Sequence, residues 1–517
     1  MSKPRGVSAV LKVSIFATGC AGIVAEFVLA TLATYTVGNA VLQWTVVMSL
    51  MFFAMGIGSR LSSFFREKLL DSFIIVEFIL SLLCASSAVL AYGLAAYTAY
   101  IGLLIYTQAL AIGFLIGLEI PLVTRLNNAY EDLRSNIAAI MEKDYYGSLL
   151  GGLLFAFFAL PYLGLTYTPI ALGSINFLVA SLLLWRFYGL VGRKKLLVSG
   201  FVLSLSALIV MGVLAKPIIL YGEQRQFRDK IILAKQTPHQ KIVITQWKNH
   251  HWLFINGQEQ FSTFDEEKYH EPLVHPAMNL ASSREKVLIL GGGDGLALRE
   301  VFKYPEVTSV TLVDLDPEMT DLARTHHVLL EINQGAMNDK RVEIINRDAA
   351  AFLKEDLKLY GVILIDLPDP DSVDLMHVYS RNFYSLAHRR LMAGGLLAVQ
   401  ATSPYFSRQA FLSIIKTVED AGFSVLPYHN QIPTMGEWGW VLGARKTDMS
   451  AEILRKRILS FDFDGLDTRF FDTSAMISMA HFGKGVLDGP DVEKIKINTE
   501  SNPVLMKYYR AGSWGVY

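Results

Sequence analysis

Cysteine is almost absent from this chain, with only Cys20 and Cys84 in 517 residues. Both lie inside apolar runs, so a disulfide framework or a cysteine-based zinc site is not expected. Charge is also scarce, at 18% of residues, and the two signs cancel to a net +0. That balance carries no electrostatic footprint for nucleic acid. Apolar residues fill the gap, at 52% of the chain and a mean hydropathy of +0.35. A water-soluble protein carries far less.

The length exceeds one ordinary domain, and composition divides it. Up to about residue 218 the chain is a series of apolar runs, and beyond that charges are spread throughout. A spanning helix needs about 20 mostly apolar residues. Seven runs qualify, at 11–35, 40–59, 71–94, 100–122, 145–164, 166–185 and 197–215. The first is too long for a signal-peptide core, and more such runs follow it, so it reads as a retained span. We therefore expect a multi-pass protein of the cell membrane, in contact with the lipid bilayer. The expected divisions are a transmembrane helical domain (1–218), a β-hairpin region (219–263), a Rossmann-like domain (264–445) and a C-terminal extension (446–517).

Basic residues alternate between the connections. Lys3, Arg5 and Lys12 lie at the N-terminus. Arg60, Arg66 and Lys68 follow the second, Arg125, Arg134 and Lys143 the fourth, and Arg193, Lys194 and Lys195 the sixth. The other connections hold no Lys or Arg. The positive-inside rule makes the basic faces cytoplasmic, and seven spans then put the second half outside. Glu26, Glu77, Glu119 and Asp144 lie within or near the runs. Such groups are costly in a bilayer and are functional candidates; the competing reading is that they only organise the bundle. Gly147, Gly151 and Gly152 suit close helix packing.

The second half has a different rhythm. The segment 241-KIVITQW-247 alternates, and Asn256-Gly257 signals a hairpin. A helix is expected over 265–280. Strand, glycine loop and helix then follow as 286-KVLIL-290, 291-GGGDG-295 and 296-LALREVFKY-304. Further strands are expected at 308–316, 341–346, 362–366 and 395–401, which makes a doubly wound parallel sheet. Gly291, Gly293 and Gly295 let the backbone approach a ligand. Asp314 or Asp316 ends the next strand about 20 residues on, where such folds bind ribose. This points to a nucleoside-containing cofactor without choosing which.

The complete motif set is more specific. GGGDG with LRE close behind, VDLD, RDA, 366-DLPDP-370, 431-QIPT-434, 269-YHE-271 and 466-LDTRFF-471 together resemble the spermidine synthase (polyamine aminopropyltransferase) family. The resemblance covers roughly residues 236–482, and the apolar N-terminal half is similar to that of membrane-fused members. It implies transfer of the aminopropyl group of decarboxylated S-adenosylmethionine, a co-substrate, to putrescine or a related amine. It further implies Asp314 as the ribose acid, Asp348-Ala349 as the adenine pair and Asp294 on the aminopropyl ammonium. Gln240, Tyr269, His270 and Gln400 would contact cofactor or substrate. Asp366 would be the catalytic base and Asp369 the second amine-binding acid. No metal is implied, and a homo-oligomer, a dimer, is expected.

The chemistry agrees with these assignments. A sulfonium is already a good leaving group, whereas an alkylammonium of pKa about 10.4 cannot attack while protonated. A carboxylate can take that proton, and a second can orient the dication. Asp294 would attract an ammonium and repel the carboxylate of ordinary S-adenosylmethionine.

Blander readings compete for several of these residues. Asp316 reads as a helix N-cap, Tyr269 as packing, and His270 with Glu271 as a surface pair. Asp371 and Asp374 read as solvated charges, and Trp438 and Trp440 as strand core. The chain departs from the family at 371-DSVDLMHVYS-380 and at Met435, where the family carries a tyrosine. The acceptor side is therefore the altered side. The alternatives are a methyltransferase on the same fold, or a polyamine transporter or sensor with a non-catalytic synthase-like domain. The donor is made in the cytoplasm, so we expect the catalytic half on that face, against the charge pattern.

Overall fold

The computed structural model describes residues 7–37, 40–95, 97–98 and 100–514; Lys3 and Arg5, counted above toward the inside bias, lie outside the described residues. The chain forms two compact units, Met1–Asp229 and Lys230–Tyr517.

The first unit is helical. Its long helices are α1 (Val7–Val37), α2 (Ala40–Leu61), α3 (Leu69–Ala95), α4 (Ile101–Asn127), α5 (Leu133–Leu154), α6 (Gly164–Arg186) and α7 (Lys194–Gln226). Among the described residues, six segments are long and apolar enough to cross a bilayer, with Leu133–Arg186 taken as one segment of 54 residues. A straight helix of that length would reach about 80 Å, against a hydrocarbon core of about 30 Å. The chain instead turns between α5 and α6. A π-helical stretch, Phe155–Leu163, contains Pro161 and ends at Gly164, whose φ is +60°. Thr168 Oγ1 then donates to Ala159 O at 3.0 Å, which a straight helix forbids at nine residues' separation.

Polarity is inverted in this unit. Phe53, Leu103, Trp185 and Val213 face outward, while Glu26, Glu77, Gln108 and Glu119 are buried, as expected where hydrocarbon is the solvent. Small residues set the closest helix contacts. A Cβ at Gly147 would sit 2.1 Å from Phe16 O, and one at Gly151 would sit 2.5 Å from Cys20 O, so α1 and α5 meet backbone to backbone. Gly152 also faces α1, but it meets the Phe27 ring at an ordinary 3.4 Å rather than the backbone. Helix α7 continues to Gln226, past the division expected at 218. Pro217 sits inside it, and proline is tolerated within membrane helices.

The second unit opens with an antiparallel sheet of β1 (Lys230–Gln236), β2 (Lys241–Trp247), β3 (His250–Ile255) and β4 (Gln258–Ser262). Asn256 and Gly257 both have positive φ, +52° and +84°, the geometry of a tight hairpin turn. Helix α8 (Glu267–Leu280) leads into the main α/β layer: β5 (Lys286–Gly291), α9 (Leu296–Val301), β6 (Ser309–Asp314), α10 (Pro317–Thr325), α11 (His327–Ile332), β7 (Val342–Asn346), α12 (Ala349–Glu355), β8 (Tyr360–Asp366), α13 (Arg381–Arg390), β9 (Leu391–Gln400), α14 (Arg408–Asp420), β10 (Phe423–Ile432) and β11 (Gly436–Arg445). The strand order is β10-β11-β9-β8-β5-β6-β7. Six strands run in one direction, and β11 alone runs antiparallel to its neighbours β9 and β10. The sheet is thus mixed rather than wholly parallel. A three-residue connection between β10 and β11 permits only a hairpin.

The C-terminal extension, with α15 (Ala451–Ser460), α16 (Thr473–Met479) and α17 (Leu505–Arg510), folds onto this layer. Phe463, Phe471 and Met476 join the core beside Trp440 and Leu273. The buried Glu271 carboxylate accepts the backbone N–H groups of Arg469, Phe470 and Phe471 at 2.7–2.8 Å. His270 and Glu271 are both buried, so they are not a surface pair.

Candidate active site

Strand order reverses around β5: the chain passes to β6 and β7 on one side, then returns to β8 on the other. A crevice opens at the C-terminal ends of strands at such a switch point. Gly291 pairs with Asp366 across it. A Cβ at Gly291, where φ is +85°, would lie 1.9 Å from Asp366 O, so glycine alone allows this register. Gly293 is there for space: a Cβ would come 2.5 Å from Asp314 Oδ2. Gly292 and Gly293 line the cleft, whereas Gly291 and Gly295 shape the turn behind it.

The cleft encloses about 680 Å³ out to open solvent, and its walls carry Gln240, Tyr269, His270, Asp294, Asp314, Asp366, Asp369 and Gln400. The structure therefore gathers most of the residues singled out by sequence. Asp348 and Ala349 stand apart from these walls. Asp348 caps α12 through Ala351 N at 2.7 Å and meets His377 Nε2 at 2.7 Å. Asp316 caps α10 through Glu318 N and also accepts Thr237 Oγ1 at 2.8 Å, so it serves the fold.

Local structure aims each acid. Asp314 ends β6 and accepts Asp316 N at 2.9 Å, and Asp294 accepts Leu296 N at 2.8 Å. At the tip of β8, Tyr269 Oη donates to Asp366 Oδ1 at 2.7 Å. Oδ2 lies on the Gly292 side. Burial pushes Asp314 and Asp366 up to about 6 and Asp369 up to about 7, and it also raises Asp294. Bringing several carboxylates out of water disfavours their charge, so the cleft favours cations.

His270 opposes that trend. Burial works against its imidazolium, but the Glu266 carboxylate at 3.1 Å lifts it to about 9. The LRE motif braces this pair. Arg299 donates to Glu266 through both terminal nitrogens at 2.9 Å and to Glu300 through Nε at 2.9 Å. Glu300 in turn meets His275 at 3.0 Å.

Sequence reasoning missed several contributors. Trp438 is buried strand core, as expected, and it also lines the cleft with Met435 and with Gln258 and Glu259, which no motif marked. Asp371, expected to be solvated, is half-buried and accepts Gln258 Nε2 at 2.9 Å. Asp369 is held by Gln400 Nε2 at 3.1 Å and by the phenol of Tyr509 at 2.9 Å. Short-range pattern carries no sign of a partner 140 residues away. Among the described residues, no group of three His, Cys, Asp or Glu is placed to hold a metal ion.

Comparison with known proteins converges on one family. Residues 266–456 match the family described as Spermine/spermidine synthase domain. The chain is 42% identical over 506 residues to polyamine aminopropyltransferase 2 of Aquifex aeolicus (strain VF5), covering 97% of this chain and 99% of that protein. The chain belongs to the polyamine aminopropyltransferase family. It is 37% identical over 506 residues to the polyamine aminopropyltransferase of Oceanobacillus iheyensis, covering 96% of each. A crystal structure of spermidine synthase from Thermotoga maritima superposes with a TM-score of 0.44 at 24% identity, over 50% of this chain and 87% of that one. The protein is thus an aminopropyltransferase enzyme with candidate membrane-spanning helices along its N-terminal half. The family implies decarboxylated S-adenosylmethionine as donor and an amine as acceptor.

Proposed function

We propose that the cleft transfers the aminopropyl group of decarboxylated S-adenosylmethionine to putrescine or a related amine, with Asp366 as base. The observation that carries this is the pair of carboxylates three residues apart at the tip of β8, the first half-buried and the second buried, each with its own partners: Asp366 with Tyr269, and Asp369 with Gln400 and Tyr509. The acceptor nitrogen attacks the methylene next to sulfur. The carbon–sulfur bond breaks, and its electron pair leaves on methylthioadenosine as a neutral thioether. The proton from the nitrogen passes to Asp366, while Asp369 holds the far ammonium.

On the donor side, Asp314 takes the ribose hydroxyls, with Gln240 and the glycine loop alongside. Asp294 takes the aminopropyl ammonium. Asp348-Ala349 lies two residues past β7, next to the strand that carries Asp314, which suits the adenine end. His270 sits between the two halves, and its charge keeps Asp366 a carboxylate.

Asp366→Asn should keep donor binding in isothermal titration and lose turnover by about 10²-fold or more. Near-normal turnover would remove Asp366 as base, and tighter binding of S-adenosylmethionine than of its decarboxylated form would remove the donor assignment. We also place the catalytic unit on the cytoplasmic face, where the donor is made. A C-terminal reporter active only outside the cell would overturn that placement.

A further inference from the structure

We propose that Tyr509, on the C-terminal helix α17, is a positioning residue for the acceptor amine, acting through Asp369. This rests on the reading of Asp369 as the amine anchor. The Tyr509 phenol donates to Asp369 Oδ2 at 2.9 Å, and both residues are buried, at 8% and 7% exposure. Gln400 Nε2 donates to the other oxygen, and Thr402 Oγ1 approaches Oδ2 at 3.4 Å. The carboxylate is therefore gripped from behind by three side chains, of which only Gln400 lines the cleft.

The extension and the altered loop are built for each other. Asn498 Nδ2 donates to the carbonyls of Met376 and Tyr379, and its own carbonyl accepts Arg381 N at 2.9 Å. Arg510 donates to Asp371 O through Nη2 at 2.7 Å and Nε at 3.1 Å. Tyr379 Oη donates to Pro368 O at 2.9 Å. Trp514 packs on the Tyr509 ring, centroids 4.8 Å apart, and donates to Tyr509 O. So 371–380, where this sequence departs from its family, is seated on 498–514. The extension supplies a phenol on the acceptor side, where Met435 stands in place of a tyrosine.

The ionisable groups facing Asp369 are Asp371 on its own loop, Tyr379 beyond it, Tyr509 from α17 and Tyr269 from α8. Among them only Tyr509 donates a hydrogen bond to the carboxylate. A donor to the charged form favours that form, so removing the phenol lets Asp369 take a proton at higher pH.

The test uses the full-length protein in detergent, with putrescine as the amine probe. Tyr509→Phe keeps the ring and its packing. It should raise the KM for putrescine roughly tenfold while kcat and donor affinity stay within about twofold. The acid limb of kcat/KM for putrescine should move up by about one pH unit. In an Asp369→Asn background the same change should add less than about twofold, because the two residues act as one unit. Full additivity in that cycle, or an unmoved KM and pH limb, would overturn the proposal. Asp366→Asn run in parallel separates the two levels. If it retains turnover, the reading of the site fails; if it is inactive while Tyr509→Phe behaves as wild type, only the role of Tyr509 fails.

Discussion

Gly293→Ala isolates the donor half of the cleft. The added methyl would stand 2.5 Å from Asp314 Oδ2 and 2.7 Å from its Cγ. Ordinary carbon–oxygen contact begins near 3.4 Å, so the carboxylate must withdraw by about 0.9 Å. It is tethered by Asp316 N at 2.9 Å, and that bond breaks if the group swings away. Gly293 is not among the residues with positive φ, so alanine suits the backbone and the fold should survive. What is lost is one or two charge-assisted hydrogen bonds to the donor, about 1.5–3 kcal/mol. That corresponds to a roughly 10- to 150-fold weaker Kd. Isothermal titration of decarboxylated S-adenosylmethionine measures it directly, and saturating donor should restore most of kcat. An unchanged melting temperature with donor affinity within twofold of wild type would refute the assignment of Asp314.

Other outcomes follow from the same geometry. With donor and amine both below saturation, the rate should fall as pH drops from about 7 to about 6, where Asp369 and Asp366 take up protons. In the proposed roles both act as carboxylates, so activity is lost on the acid side. Saturating cationic donor should move that limb to lower pH, because a nearby positive charge favours the carboxylates; a limb near pH 4 in both conditions would remove burial as the cause. Glu271→Ala orphans three backbone N–H groups and should cost about 3–5 kcal/mol. Limited proteolysis should then cut near 466–471, and a resistant variant would count against that anchoring. His270→Gln removes the cation facing Asp294 and Asp366 and should shift the acid limb of the rate upward; an unmoved limb would show that His270 is neutral when substrates are bound.

Much of the molecule was legible in the sequence, for local reasons. Seven apolar runs announced the helical unit, because a bilayer demands uninterrupted apolar length. Asn256-Gly257 announced its turn, because both positions need positive φ. The acids at the tips of β6 and β8 followed from strand, loop and helix in order. Tertiary structure decided what depends on packing across distance. The antiparallel β11, the close register of Gly291 against Asp366, and the Glu266 carboxylate that Arg299 holds beside His270 all depend on neighbours no local pattern names. Tyr509 is the clearest case. Its residue type and its short C-terminal helix say nothing of Asp369, because burying a hydroxyl against a carboxylate 140 residues earlier is a property of the assembled core. The sequence by itself therefore determined the two-part design and most of the acids that the cleft gathers. Only the tertiary structure decided which side chains grip those acids, and from which end of the chain they come.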